Sequence, residues 1–219
     1  MHKNKVFLIA FVIVLLAAVY LFHPWILRQM GTYLAPSETA KADAAIIEGN
    51  TTIDNAAVKE AIACLNAGKV KRIVLVVHEV TDGEKIFSLP EQYSRLIYAS
   101  LLKTGLKTSE FQILLFHVEE PVTLSEAQYV LTHLSKDNMK RAILIAKSFH
   151  TRRSLLAYRH VGKSLNFTVI PLPYYVGYRP ETWWLKADGF RDFFPEAFKL
   201  IYYILRGYIP VKSLFTLNI

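Results

Sequence analysis

The segment from Arg141 to Gly162 constrains the fold of this chain more than any other. Residues 142–146 form a short apolar run with the length and Ile/Leu content of a buried parallel strand. An amphipathic helix follows, with Leu155 on its apolar side and Gly162 as its expected C-cap. A buried strand that leads straight into a helix indicates an α/β protein, in which helices cover both faces of the sheet.

The same alternation of strand and helix continues through the rest of the body. Strands are expected over residues 43–47, 72–77, 111–116, 142–146 and 166–170. Helices are expected from a cap at Thr51-Thr52 to residue 66, and over residues 90–105, 121–135, 150–162 and 196–205. The sequence therefore predicts a doubly wound, largely parallel five-stranded sheet of the Rossmann-like class.

An apolar segment precedes this body. Residues 6–22 are uninterrupted by any polar side chain, and no charge occurs between Lys5 and Arg28. That distance is long enough to cross roughly 30 Å of hydrocarbon. Lys3 and Lys5 precede the segment and only Arg28 follows closely, so the positive-inside rule places the N-terminus in the cytoplasm and the body outside.

A cleaved signal peptide is the alternative interpretation of this segment. Its small-residue pair, Ala17-Ala18, lies inside the apolar run, and no small-x-small cleavage site follows. An uncleaved signal anchor is therefore favoured. We expect residues 1–30 to form a cytoplasmic tail and transmembrane anchor in the plasma (inner) membrane, and residues 31–219 to form an extracytoplasmic α/β domain.

Charge and cysteine content exclude some classes of partner. Three of the 26 Lys and Arg residues lie before residue 31, so the formal net charge of +8 falls to +5 for the body. No run of Lys and Arg with interleaved aromatics suggests nucleic-acid binding. Cys64 is the single cysteine, so no intrachain disulfide can form, and its helical pattern predicts a buried side chain.

Polar residues follow four of the five predicted strands. They are Glu48-Gly49-Asn50, His78-Glu79, His117 to Glu120, and Lys147 to Arg153. In open α/β sheets, ligands bind outside the carboxyl ends of the strands, so we expect these residues to meet at one edge. Lys147, Arg152 and Arg153 lie at a helix N-terminus together with Ser148, and cations at this end oppose the helix dipole. Such a helix start is either neutralised by nearby carboxylates or held ready for an anion.

Each candidate side chain has a functional and a structural interpretation. His150 is a candidate acid/base oriented by Glu119, but it could also cap its helix or pair with Glu119. Thr123 can cap its helix or touch a ligand. Arg152 and Arg153 cannot both face one site, because adjacent helix positions diverge by about 100°. His78 and His117 are adequately explained as surface-loop residues.

Four short motifs together resemble a known family. They are Asp43-Ala-Ala-Ile-Ile-Glu48-Gly49, Glu119 with Thr123 and Glu126-Ala127, His150-Thr-Arg152-Arg153-Ser154, and Glu196 with Lys199 and Tyr202-Tyr203. Their order and spacing over about residues 41–206 resemble the YdcF/SanA/ElyC-like proteins of bacteria. The usual glycine-rich loops are replaced by Glu48-Gly49-Asn50 and by Val77-His78-Glu79, which is typical of a divergent member.

This resemblance, together with export, implies a role in cell-wall or envelope polysaccharide biogenesis. One hypothesis is an enzyme acting on a phosphate-bearing intermediate such as a lipid-linked sugar, with Arg153 holding the anion, although no motif of a catalytic nucleophile is present. A second is a non-catalytic envelope scaffold or regulatory binding protein. A third is a metal-dependent hydrolase using Glu48, His78, Glu79, His117 and His150, although no spacing supports it. The sequence indicates no particular cofactor.

Residues 171–194 break the alternating pattern. They contain eight Tyr, Trp and Phe residues in what is expected to be a long loop. The aromatic side chains could form a flap over the edge of the sheet, a membrane-surface patch beside the anchor, or simple packing. The apolar tail over residues 208–219 is interrupted by Pro210 and Lys212, so it cannot span a membrane but could lie on one.

Overall fold

The computed structural model describes residues 2–50, 52–79 and 89–214. The strands are β1 (Ala44–Asn50), β2 (Arg72–Glu79), β3 (Phe111–His117), β4 (Arg141–Lys147) and β5 (Thr168–Tyr174). The helices are α1 (His2–Leu34), α2 (Asn55–Asn66), α3 (Leu89–Lys103), α4 (Val122–Lys136), α5 (His150–Leu165) and α6 (Ala187–Leu205). Two short 3₁₀ turns cover Trp183–Leu185 and Val211–Leu214.

The five strands form one parallel sheet in the order β3-β2-β1-β4-β5. The chain moves outward from β1 to β3 and then returns to place β4 on the other side of β1. Helices cover both faces, so the predicted doubly wound α/β fold is confirmed.

Alternate residues of each strand enter two separate cores, because side chains on a strand point to opposite faces. Ile46 packs with α4 and α5 on one face, whereas Ile47 packs with α2 and α3 on the other. Both side chains are almost fully buried. Cys64 of α2 belongs to the second core, and its predicted burial is confirmed.

A third apolar cluster joins α1 and α6 to the side of the body. Trp183 lies at its centre, stacked on Phe193 with ring centroids 3.9 Å apart and planes within 7°. The indole Nε1 of Trp183 donates to the carbonyl oxygen of Leu27 in α1 at 2.9 Å. Phe149, at the start of α5, packs against the same indole. One aromatic residue therefore connects three helices.

The structure corrects the predicted long aromatic loop. β5 continues to Tyr174 through Pro171 and Pro173, which is tolerated because β5 is an edge strand. α6 begins at Ala187 rather than at residue 196 and contains Pro195 within it. Packing is the role of the buried aromatics of this segment, Tyr178, Trp183 and Phe193, whereas Phe190 and Phe194 remain half-exposed.

The predicted start of α2 is also corrected. Its N-cap is Asp54, whose side chain accepts a hydrogen bond from the N–H of Ala56 at 2.8 Å. A carboxylate at this position satisfies one of the unpaired N–H groups of the first turn. Thr51, one of the two predicted caps, lies outside the described residues, as does the final part of the predicted apolar tail, residues 215–219.

α1 is long and apolar enough to cross a membrane. Its 33 residues extend for about 50 Å. Within the span from Phe7 to Leu34, the apolar stretch of 18 residues is not covered by the rest of the protein. The helix continues past the predicted boundary at residue 30, and its last turn packs on the body through Leu34. The apolar segment and the α/β domain are therefore joined by one continuous helix.

The close approach of α1 to the Trp183 cluster depends on Gly31. A Cβ atom at this position would collide with the carbonyl oxygen of Pro180 and lie 2.6 Å from Cδ1 of Trp183. We expect Gly31→Ala to destabilise the protein by about 1–3 kcal/mol, the usual cost of overpacking. In thermal unfolding of the full chain in detergent, Tm should fall by roughly 3–10 °C. Gln29→Ala, at an exposed position on the same helix, should leave Tm unchanged, and an equal Tm for both variants would contradict the packing argument.

Candidate functional site

A polar pocket of about 520 Å³ lies between the carboxyl ends of β1 and β4. This is where the strand order reverses, and crevices at such switch points bind the ligands of doubly wound proteins. The polar side chains that line the pocket are those of Glu48, Asn50, Asp54, Glu120, Thr123, Lys147, His150, Arg153, Glu196, Lys199 and Tyr203. A cavity therefore lies at the edge of the sheet where the polar residues were predicted to meet.

A bulge at the end of β1 brings Glu48 into the pocket. The pairing of β1 with β2 shifts register between Ile47 and Asn50, which changes the direction of the intervening side chain. The Glu48 side chain is only 6% exposed, and its Oε1 accepts from the Ser154 hydroxyl at 2.5 Å and from His150 Nε2 at 2.9 Å. Its Oε2 is buried and has no hydrogen-bond partner among the described residues.

His150 lies between two carboxylates. Its Nε2 contacts Glu48, and its Nδ1 is 3.0 Å from Oε2 of Glu196 on α6. Burial lowers the pKa of His150, but Glu48 and Glu196 outweigh both that burial and the repulsion from Arg153, so the pKa is raised from 6.5 to about 9. The two carboxylates therefore favour the imidazolium form at neutral pH, although Nη2 of Arg153 also lies 2.8 Å from Nδ1.

Arg153 completes the cluster from the next turn of α5. Its guanidinium binds Glu196 through Nε at 3.1 Å and Nη2 at 3.0 Å, and its Nη1 donates to the Thr123 hydroxyl at 2.5 Å. The same guanidinium lies 5.0 Å from the ring centroid of Tyr203. Burial opposes the ionisation of Glu196, but His150, Arg153 and Lys199 hold its pKa well below the usual range.

Two helices point weakly capped N-termini at the same pocket. The N-cap residues of α4 and α5 are Pro121 and Phe149, and neither provides a side-chain hydrogen bond to its helix. The N–H groups of Val122 and Thr123 make only long bonds of 3.4 Å, to Glu120 and to the Tyr203 hydroxyl. Helix N-termini attract anions, and here the first turn of α4 has only the long bond from Val122 to the Glu120 carboxylate.

A second buried network fixes the backbone beneath the pocket. The carboxylate of Glu126 accepts from the N–H of Gly49 at 3.1 Å and from the Tyr158 hydroxyl at 2.7 Å, and it contacts His78 Nε2 at 2.5 Å. Burial and the neighbouring Glu126 and Glu48 raise the pKa of Tyr158 well above 10, so its hydroxyl remains a donor. A Cβ atom at Gly49 would overlap His78. The bulge of β1 is therefore held rigidly, and the surface role expected for His78 is wrong.

The structure gathers most of the predicted site residues around this pocket. Seven of the ten line it, namely Glu48, Gly49, Asn50, Thr123, Lys147, His150 and Arg153. The ion pair expected between Glu196 and Lys199 is present at 3.0 Å, and it is one part of the larger cluster.

Three predicted site residues lie elsewhere. Glu119 lines a separate depression with Glu79 and His117 and does not orient His150, because Glu48 and Glu196 occupy both ring nitrogens. Ser148 is buried with its hydroxyl 2.6 Å from that of Tyr178.

Arg152 is the third of these residues. Its Nε donates to the carbonyl oxygen of Tyr33 at 2.7 Å and its guanidinium lies over the ring of that residue. It therefore attaches α1 to the body, and the expected divergence of Arg152 from Arg153 is confirmed.

Glu196 is the central residue whose role the sequence reasoning missed. Its only local signal was the i,i+3 spacing to Lys199, because its main partners lie 43 and 46 positions earlier in the chain. The last helix was expected to begin at Glu196, directly after Pro195. In the structure the packing of Phe193 on Trp183 extends α6 upstream, so Glu196 lies in the middle of the helix.

The five residues considered for a metal site are not brought together. Glu48 pairs with His150, His78 with Glu126, and His117 lies 4.0 Å from Glu79. Across the described residues, no group of three or more His, Cys, Asp or Glu side chains is arranged to hold a metal ion.

Comparison with known proteins gives no match for this chain among protein-family models, curated proteins or solved structures.

The raised pKa of His150 predicts a specific pH dependence of stability. The charged ring stabilises the folded state fully below the unfolded pKa near 6.5, and this contribution is lost as pH rises through about 9. We expect the free energy of unfolding to fall by on the order of 1–3 kcal/mol between pH 6 and pH 10, and this fall to be absent in His150→Gln. Chemical denaturation in detergent, followed by circular dichroism, measures it.

The matched control is His160→Gln, at an exposed position near the other end of α5. It should keep the pH dependence of the unaltered protein. A pH profile of His150→Gln that overlays the unaltered one would show that the His150 ion pairs do not stabilise the fold.

Proposed function

We propose that this chain is a membrane-anchored protein of the bacterial cell envelope that binds a phosphate-bearing sugar intermediate in the pocket between β1 and β4. The resemblance of its four motifs to the YdcF/SanA/ElyC-like proteins supports a role in cell-wall or envelope polysaccharide biogenesis. α1 is the proposed anchor in the plasma membrane, with the N-terminus cytoplasmic and the α/β domain outside.

Binding of the phosphate group is supported by one observation. The N-termini of α4 and α5, both weakly capped, lie at the same pocket. The dipoles of α4 and α5 both favour negative charge at this point. Lys199, which is 57% exposed and paired with Glu196, and Lys147, which is paired with Asp192, add two cations to the lining of the pocket. A phosphate group would accept hydrogen bonds from both helix ends and both lysines.

The sugar half of the proposal is supported by the unpartnered Oε2 of Glu48. Glu48 lines the pocket, and a buried carboxylate oxygen without a donor costs free energy, so a ligand hydroxyl that displaced the groups covering Oε2 would recover that cost. A sugar hydroxyl is such a donor. Glu48 cannot turn away, because Ser154 and His150 hold its other oxygen.

Proton donation is one chemistry that the pocket could offer a bound ligand. Because its pKa is raised to about 9, His150 could act as a general acid toward a leaving oxygen. Arg153 binds Glu196 and Thr123, which makes it a positioning residue in the unliganded protein. Because both His150 nitrogens are already paired with carboxylates, a non-catalytic binding or regulatory protein is the second candidate function.

Ligand binding is tested by thermal shift of the full chain in detergent. N-acetylglucosamine 1-phosphate at a hundredfold its Kd should add about 2.7 kcal/mol to the free energy of unfolding. Lys199→Ala should raise Kd roughly 5–10-fold, equivalent to about 1 kcal/mol, because it removes one cation from the phosphate. Lys163→Ala, at an exposed position in the last turn of α5, is the control and should leave Kd unchanged.

Two further probes separate the halves of the ligand. Glu48→Gln should weaken binding of the sugar phosphate more than binding of inorganic phosphate, because it alters the acceptor for the hydroxyl. N-acetylglucosamine without phosphate should bind far more weakly than its phosphate. The absence of a shift with every phosphate-bearing probe, undecaprenyl phosphate included, would overturn the proposal.

The proposed topology is tested by reporter fusions in bacterial cells. Alkaline phosphatase at the C-terminus should be active and green fluorescent protein at the same position should be dark, since the positive residues Lys3 and Lys5 keep the N-terminus inside. An N-terminal tag should stay on the membrane-bound product if the anchor is uncleaved. A fusion lacking residues 6–27 is the control and should reverse both reporters; the same reversal in the full chain would contradict the topology.

A further inference from the structure

α6 carries an apolar stripe on its outward face. Its inward face is buried through Gly189, Phe193, Leu200 and Tyr203. The outward residues recur at spacings of four, four, three and four, which places them on one side of a helix: Phe190, Phe194, Phe198, Ile201 and Leu205. Phe198 is 67% exposed and Leu205 is 80% exposed. Single exposed apolar residues are normal on a protein surface, but a continuous stripe marks an interaction site.

The stripe begins where the apolar part of α1 ends. Phe190 and Phe194 lie 5.3 and 6.1 Å from Trp183 between ring centroids. Trp183 in turn donates its indole N–H to Leu27, the last apolar residue before Arg28. The start of α6 is therefore at the level at which the apolar segment of α1 meets its first following charge.

The path of the chain after α1 fixes which edge of the sheet faces this level. Tyr33 accepts a hydrogen bond from Arg152 in the first turn of α5. Glu38 then pairs with Arg159, about two turns further along the same helix, at 2.9 Å. The chain thus leaves α1 and runs along α5 from its N-terminus toward its C-terminus. Because α5 begins at the carboxyl edge of the sheet, this edge is the one nearest to the apolar part of α1.

Charge and shape around the stripe fit a lipid surface. An apolar groove of about 630 Å³ between α1 and α6 is lined by Met30, Tyr33, Phe193 and Leu200. Lys186 and Arg206 lie exposed at the two ends of α6. The exposed Asp188 of the first turn is paired with Arg191 at 2.7 Å, and Asp192 and Glu196 point inward to their partners. A helix with a Phe/Leu/Ile stripe and basic ends is typical of helices that lie in the headgroup region.

We propose that the outward stripe of α6 lies in the interface of the membrane that α1 crosses, with the carboxyl edge of the sheet turned toward the lipid. The stripe contacts the lipids of that bilayer at the boundary between headgroups and acyl chains. This inference rests on the proposed anchoring by α1 and is independent of the ligand of the pocket. It accounts for an apolar surface that the fold itself does not need.

The test uses the full chain in nanodiscs of phosphatidylethanolamine and phosphatidylglycerol that contain a nitroxide-labelled lipid. Cys64→Ala removes the single cysteine, and an NBD fluorophore is attached to one new cysteine at a time. Phe198→Cys and Leu205→Cys report on the stripe. Leu21→Cys reports on α1, and Lys163→Cys reports on the far end of α5. We expect quenching at the two stripe positions to be at least half of that at Leu21→Cys and several-fold greater than at Lys163→Cys.

The outcomes separate this inference from the anchoring on which it rests. Strong quenching at Leu21→Cys with none in the stripe would overturn the docking of α6 and leave the anchor intact. Absence of quenching at Leu21→Cys would contradict both the docking of α6 and the anchoring by α1. An NBD signal in the stripe that is shielded from water but unquenched, and that depends on protein concentration, would show that a second copy covers the stripe instead of lipid.

A variant of the stripe gives an independent measurement. Phe194→Ser with Phe198→Ser should at least halve the quenching at Leu205→Cys, while circular dichroism stays unchanged because both positions are exposed. The matched control is Leu96→Ser with Leu102→Ser, which removes exposed apolar residues from α3 and should leave the quenching intact. Equal quenching in both double variants would overturn the role of the stripe.

Discussion

The carboxylate of Glu196 is the interaction on which the site depends. It lies only 14% exposed on α6 and binds two cations of α5, His150 and Arg153, while Lys199 reaches it from its own helix. Buried charges are tolerated only when they are paired and hydrogen-bonded, so removing one member leaves the others uncompensated. Glu48 extends the cluster to β1 through His150. The contacts among Glu48, His150, Arg153 and Glu196 therefore connect one strand and two helices.

The topology of the sheet explains why these groups meet. The return of the chain from β3 to β4 places the ends of β1 and β4 side by side, with no strand between them. The bulge that turns Glu48 inward is held from below by Glu126, which binds Gly49, Tyr158 and His78. The buried network around Glu126 thus holds the backbone at the end of β1. The network around Glu196, nearer the surface, holds the charged side chains of the pocket. A site that is rigid before its ligand arrives loses less entropy when it binds.

The sequence predicted the features that are local or that follow from strand order, and it missed those that depend on distant pairing. The apolar run before Lys147 and the polar residues after each strand were enough to predict the edge at which Glu48, His150 and Arg153 meet. Glu119 looked like the partner of His150 only because it follows β3, and no local pattern could show that Glu196 would reach the same ring from α6. The expected start of the last helix at Glu196 was wrong, because the helix begins at Ala187 and its first part packs through the stacking of Phe193 on Trp183.

α6 carries both the proposed lipid-facing stripe and two residues of the proposed ligand pocket. Its inward face supplies Glu196 and Lys199 to the pocket, and its outward face carries the stripe from Phe190 to Leu205. Rotation of this helix about its axis would withdraw Glu196 from His150 and Arg153, and breaking a buried ion pair is strongly unfavourable. The ion pairs therefore hold the helix in the orientation that turns the stripe outward. If the stripe lies on the membrane as proposed, these ion pairs also fix the position of the pocket relative to the lipid, and a ligand carried in the headgroup layer would meet the pocket there.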